Sequence, residues 1–233
     1  MSDARGHVVV TGGTGGLGRG VVAALAEVWR PVVVTWIVEA ERERTTGAFG
    51  DAVDLRRVDV RRREEVVGLA GELEATGGVW AVAHLVGGHR DGEPLAEMPL
   101  EGWREQIDLN LWPLVLTLGA FLPGMIARGG GRVVAVSSRA ALRPYAGAAA
   151  YAATKAAVIT TVQAASEEVK GHGVCVNAIL PSVIDTPGNR AAVPDADHSR
   201  WVRPDEIGAV VRFLCSPEAS AITGAAIPVY GRA

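Results

Sequence analysis

The tightest limit on how this chain can fold lies near its N-terminus. A β-branched run, His7 to Val10, leads into Thr11-Gly12-Gly13-Thr14-Gly15-Gly16-Leu17-Gly18, and apolar positions then recur at helical spacing through Val21, Val22, Leu25 and Val28. Strand, glycine turn and helix in that order make a nucleotide site: glycines let the backbone approach a pyrophosphate, and the free N–H groups at the helix start stabilise its charge. Gly12, Gly16 and Gly18 fit one glycine spacing and Gly13, Gly15 and Gly18 another. The alternative reading is a structural glycine turn with no ligand.

The rest of the chain repeats the alternation. Strands are expected at Pro31–Val38, Leu55–Val60, Val79–Val86, Arg132–Ser138, Val174–Leu180 and Ala225–Tyr230, with helical spacing over Arg62–Leu73, Trp103–Ala127 and Ala148–Lys170. The nearly continuous apolar character of Val79–Val86 suits a parallel sheet covered on both faces. This predicts an α/β fold, a Rossmann-like doubly wound parallel sheet flanked by helices, with residues 1–233 forming a single domain. Trp103–Ala127 contains Pro113 and Pro123, where a kink or reset is expected. His84 reads as a packed core histidine, and His89 as a loop residue without a visible partner.

Charge and cysteines exclude several function classes. A formal net charge of −3 with scattered arginines leaves no broad basic surface for nucleic acid. Cys175 and Cys215 lack metal-ligand spacing and read as buried thiols, so no metal is expected. No basic segment followed by a secretory apolar run opens the chain, and the long apolar stretches are broken by charge, proline or glycine. A soluble, cytoplasmic protein with no membrane partner is the expectation.

Chemistry enters at Tyr151-Ala-Ala-Thr-Lys155. The surrounding run is rich in helix formers, and Gly171 and Gly173 can end it, so Tyr151 and Lys155 lie on one helical face. An ammonium held close to a phenol favours the phenolate and equips the pair to exchange a proton near neutral pH. A tyrosine that merely packs beside a solvated lysine is the plainer reading. Ser137-Ser138, at the end of the expected fifth strand, gives the pair its weight.

With these residues in place, the sequence resembles the classical short-chain dehydrogenase/reductase family over its whole length. Thr11-Gly12-x-x-x-Gly16-x-Gly18 looks like the family's coenzyme loop, and Tyr151-x-x-x-Lys155 like its catalytic pair. Ser138 stands thirteen residues before the tyrosine, where the family places its serine, and Asn110 in Asp108-Leu-Asn-Leu resembles the asparagine that completes the set. The resemblance implies an NAD(P)(H)-dependent oxidoreductase on carbonyl or alcohol substrates, with Tyr151 as general acid/base. Thr14, Gly15, Leu17, Asp59 and Val60 fall in coenzyme-contacting positions, as do Gly87-Gly88 and Pro181 with Ile184 and Thr186. Leu85-Val86-Gly87-Gly88 departs from the family's Asn-Asn-Ala-Gly, and Ser182 replaces a glycine. Family members commonly assemble as homodimers or homotetramers.

Two questions stay open in the sequence. The position that reads the adenosine ribose falls at Trp36 or Ile37, neither of which supplies the acid or the arginine, while Glu39, Arg42 and Arg44 follow on an expected loop. Weak discrimination between NAD and NADP is the consequence. The second question is substrate. Pro181–Arg203 is expected to close over it, with Arg190, His198 and Trp201 as candidate contacts, the alternative being a surface connection whose Trp201 anchors the next helix; this stretch resembles dihydropteridine reductases, an atypical branch of the family. A dihydropteridine-reductase-like enzyme and a non-catalytic NAD(P)-sensing protein are the rival functions; the same fold can carry either.

Overall fold

The structure, a computed structural model, describes residues 6–90 and 92–232. Its first half runs β1 (His7–Thr11), α1 (Gly16–Ala26), β2 (Val32–Trp36), α2 (Glu39–Phe49), β3 (Val53–Arg57), α3 (Arg63–Ala75) and β4 (Val79–His84). The second half runs α4 (Leu100–Asn110), α5 (Trp112–Arg128), β5 (Gly131–Val136), α6 (Ala149–Val169), β6 (Val174–Pro181), α7 (Pro187–Ala192), α8 (Pro204–Cys215) and β7 (Ala226–Val229). The seven strands form one sheet in the order β3-β2-β1-β4-β5-β6-β7, and every pairing is parallel.

Parallel neighbours need crossover connections, and the helices that supply them cover both faces of the sheet. Alternate strand residues therefore feed two cores. Val9 and Val33 join Leu114, Phe121 and Val158 on one face, while Val8, Val10, Val32 and Val34 join Val21, Leu25, Ile207 and Leu214 on the other. Each such side chain, fully buried, stabilises the fold by about 1.5–3 kcal/mol. The strand order turns back between β1 and β4, which opens a crevice at the carboxyl edge of the sheet.

At that edge His84 pairs in register with Thr11. His84 is buried as expected, with Nδ1 2.9 Å from Thr11 Oγ1 and 3.2 Å from Thr117 Oγ1. Burial, and secondarily the Lys155 ammonium, lowers its pKa to about 3 and keeps the ring neutral.

Several elements depart from the sequence reading. β3 stops at Arg57 and β4 at His84, so Asp59-Val60 and Leu85-Val86 lie on the loops beyond the strands. The expected helix Trp103–Ala127 is two helices divided at Leu111, with Pro113 in the first turn of α5, where its missing N–H costs nothing. Pro123 is accommodated inside α5. No stretch of membrane-spanning length was expected, yet α4 and α5 together, Leu100–Arg128, have that length and mean hydropathy. Leu114, Leu118, Phe121 and Met125 of α5 pack into the core beneath the sheet.

The largest difference is α2. Glu39, Arg42 and Arg44 were expected on a loop, yet all three are helical. Only Thr45 of this helix is buried, so it has no apolar stripe for a sequence pattern to reveal. Glu39 and Glu41 sit at its positive end, and Arg42 Nε lies 2.5 Å from Glu39 Oε1.

Candidate active site

The crevice is a cleft of about 340 Å³. The glycine turn forms one wall, Trp36, Ile37, Val38 and Glu41 the second, Val58 to Arg61 the third, and Leu85, Val86 and Gly87 the floor. Gly12 holds φ +69°, a left-handed conformation suited to glycine, and its N–H donates to Thr35 Oγ1 at 3.2 Å. A Cβ on Gly18 would lie 2.3 Å from Gly13 O, so the turn can fold back on α1 only with glycine there. A Cβ on Gly16 would meet Thr186 Cγ2 at 3.0 Å, which places the segment after β6 directly against the turn. A nicotinamide dinucleotide fits these features: a cradle free of side chains for the pyrophosphate at the start of α1, in a cleft of ligand size.

The adenosine end holds groups that the sequence reading did not assign. Trp36 ends β2, and its indole Nε1 is buried with no hydrogen-bond partner among the described residues. The Arg42 guanidinium stands 5.6 Å from the Trp36 ring centroid. Thr14 Oγ1 donates to Glu41 Oε2 at 2.8 Å. Arg61 binds Asp59 through Nε at 2.9 Å and Nη2 at 2.7 Å, which holds that carboxyl below its usual range.

Past Gly87, and outside the residues that line this cleft, β4, β5, α4 and α6 bring together a second group of side chains. Lys155 is buried, and its Nζ donates to Val136 O at 3.1 Å. Burial lowers its pKa to about 8. Nζ lies 6.0 Å from the Tyr151 ring centroid, one helical turn along α6. Asn110, the last residue of α4, is 1% exposed; its Oδ1 accepts from Gly88 N–H at 3.0 Å and its Nδ2 donates to Gln106 Oε1 at 3.2 Å. A Cβ on Gly87 would lie 2.7 Å from Asn110 Oδ1 and 2.8 Å from Lys155 Nζ, so the lysine and the asparagine converge on one bare stretch of backbone. Gly87, which stands where the family pattern has alanine, puts no side chain between them.

Ser138 lies two residues beyond β5 and caps the short turn Arg139–Ala141, accepting from Ala140 N–H at 3.1 Å. Its own proton can therefore be donated outward. Ser137 Oγ donates to Lys155 O at 2.7 Å and ties the end of β5 to α6. His89, read from sequence as lacking a partner, has one: its Nε2 lies 2.6 Å from Tyr145 Oη, and its ring meets Tyr151 edge-on at 4.7 Å between centroids. That contact joins two distant loops, and no local pattern signals it.

The segment after β6 gives its candidate substrate residues other employment. Arg190 forms a paired contact with Asp185 at 2.5 and 2.8 Å. His198 Nε2 lies 2.9 Å from Val193 O, and its ring rests against Trp201 at 4.4 Å. Trp201 is 8% exposed and precedes Val202, which bridges back to Ile184. The sequence expectation gave Trp201 a face open to substrate, and in the structure the ring is buried because it anchors this return of the chain.

A doubly wound sheet with a glycine cradle at its switch point and a buried lysine beside a tyrosine defines a dinucleotide-binding protein equipped for proton transfer. Comparison with known proteins narrows the class. The family model described as short chain dehydrogenase matches residues 6–197. The 2,5-dichloro-2,5-cyclohexadiene-1,4-diol dehydrogenase LinX of Sphingobium indicum is 30% identical over 96% of this chain and 94% of its own length. The 3-oxoacyl-(acyl-carrier-protein) reductase FabG of Vibrio cholerae is 31% identical over 96% of this chain and 95% of its own. A short-chain dehydrogenase/reductase structure from Mycobacterium ulcerans superposes with a TM-score of 0.89 at 29% identity, covering 100% of this chain and 90% of that one. This chain belongs to the short-chain dehydrogenase family. It is an NAD(P)-dependent oxidoreductase acting on CH–OH or C=O groups.

Proposed function

We propose that Tyr151, Lys155, Ser138 and Asn110 form the catalytic set, with Tyr151 exchanging the proton on the substrate oxygen. The convergence of the buried Lys155 ammonium, Asn110 and the Gly87 backbone beside Tyr151 carries this reading. When bound, the coenzyme supplies or takes the hydride; the side chains orient the substrate and manage the proton. Tyr151 Oη donates to the oxygen that gains charge during reduction, and Ser138 Oγ–H hydrogen-bonds the same atom. Lys155 favours the phenolate left on Tyr151 and would also hold the nicotinamide ribose of a bound coenzyme. Asn110 holds the loop after β4 through Gly88 N–H and lies beside Lys155, a position suited to resupplying the proton by way of water.

The substrate class follows from relatives. LinX and FabG are named for a cyclic diol and a 3-oxoacyl group on acyl-carrier-protein, so a ring or chain ketone and its alcohol are the first compounds to try. Thr186 against the glycine turn supports residues 182–203 as a wall of the site, with Arg190 and His198 as its polar candidates and Trp201 as its anchor. The single-domain chain is assigned a homodimer or homotetramer. Purified protein incubated with NADH or NADPH and a panel of cyclic and 3-oxo carbonyls should consume coenzyme and form alcohol in equal amounts. Coenzyme binding without consumption across the panel would favour a sensing protein instead.

A further inference from the structure

We propose that Glu41 selects NAD over NADP, from a position on α2 rather than from the end of β2. The inference rests on the reading above that the cleft takes a nicotinamide coenzyme, with its adenosine half between the glycine turn and α2. β2 ends in Trp36, followed by the exposed Ile37 and Val38, and none of these carries charge. The next turn of chain brings Glu41 back into the cleft wall, where Thr14 Oγ1 donates to its Oε2 at 2.8 Å. That bond fixes the carboxylate against the glycine turn. A carboxylate accepts up to about four hydrogen bonds, so after Thr14 it retains capacity for both ribose hydroxyls.

Arg42 and Arg61 are already paired, and Arg44 lies outside the cleft lining. Arg42 is bound to Glu39 at 2.5 Å and stands over the Trp36 ring, and neither Arg42 nor Arg44 lines the cleft. Arg61 does line it, but both of its contacts go to the Asp59 carboxylate. Among the described residues no lysine or arginine pairs with Glu41. A 2′-phosphate, doubly or nearly doubly negative at neutral pH, would meet an uncompensated carboxylate where a 2′-hydroxyl would meet an acceptor. The weak discrimination expected from Trp36 and Ile37 is thereby replaced by a preference for NAD.

Equilibrium titration of both reduced coenzymes, read by their fluorescence or by calorimetry, tests this without turnover. Wild type should bind NADH at least about a hundredfold more tightly than NADPH, about 2.7 kcal/mol. Glu41→Gln keeps an acceptor for Thr14 and removes the charge. It should narrow the ratio at least about tenfold, by weaker NADH binding and tighter NADPH binding together. Glu41→Arg should invert the preference, and circular dichroism checks that each variant is folded. Comparable wild-type affinities, or a ratio unmoved in Glu41→Gln, would overturn the assignment while leaving the oxidoreductase reading intact. Failure to bind either coenzyme would overturn that reading, and this one with it.

Discussion

The two ends of the site are built by different means. At the catalytic end, Lys155 and Asn110 are buried and tied to backbone: Nζ to Val136 O, Oδ1 to Gly88 N–H. At the adenosine end the polar groups are side chains holding one another on a half-exposed helix and loop: Thr14 with Glu41, Arg61 with Asp59, Arg42 with Glu39. A buried group positioned by the sheet and α6 can be displaced by little short of a local rearrangement. An exposed ion pair of this kind, Arg42 with Glu39, stabilises the fold by only about 0–1 kcal/mol. On the proposed roles, the difference would anchor the proton chemistry in the core and leave coenzyme choice to the side chains of α2.

The sharpest way to break that contrast is Tyr151→Phe. Turnover should fall by about a thousandfold or more while coenzyme dissociation constants stay within about threefold, since the ring still packs and the transferable proton is gone. Rates and titrations on the same preparation would decide it, and near-normal turnover would remove Tyr151 from the chemistry.

A second prediction concerns the cost of burying Lys155. Its pKa falls from 10.5 to about 8 because burial penalises the ammonium. Between those values the unfolded chain binds more protons than the folded one, so stability rises with pH across that window. Lys155→Met removes the dependence. In the coenzyme-free protein, the variant's stability advantage should be largest below about pH 8 and shrink by about 3 kcal/mol by about pH 10.5, since each tenfold loss of proton affinity on folding is worth about 1.4 kcal/mol. Urea unfolding across that range measures it; a flat difference would mean that the ammonium is not buried. The same variant should lose coenzyme affinity as well as turnover, because one ammonium is assigned two tasks.

The smallest effect belongs to Gly87→Ala. Its methyl would press on Asn110 Oδ1 and Lys155 Nζ at 2.7 and 2.8 Å, so both buried side chains must shift. Turnover should drop about tenfold, near 1.4 kcal/mol, with little change in melting temperature. Steady-state kinetics beside a thermal melt checks it, and an unchanged rate would separate Gly87 from the catalytic set.

Most of the fold was legible because its elements carry periodic apolar signals. β1, β4 and β6 are continuous apolar runs, and α6 is written in good helix formers closed by glycine. α2 was hidden because only Thr45 is buried and charge pairs, rather than a stripe, support it. Losing α2 also lost Glu41, since a residue on a loop has no assigned direction, and Thr14–Glu41 spans 27 residues. At the catalytic end the i, i+4 spacing of Tyr151 and Lys155 and the position of Ser138 were readable as local pattern. The His89–Tyr145 contact and the burial of Trp201 were not, because each depends on where two loops meet.

The separation of the two ends is tested most directly by one crossed measurement: turnover, and the NADH to NADPH affinity ratio, for wild type, Tyr151→Phe and Glu41→Gln side by side. The account predicts that Tyr151→Phe lowers turnover about a thousandfold and leaves the ratio alone, while Glu41→Gln narrows the ratio at least about tenfold and leaves turnover with saturating NADH within about threefold. A Tyr151→Phe protein with shifted coenzyme preference, or a Glu41→Gln protein with collapsed turnover, would contradict it.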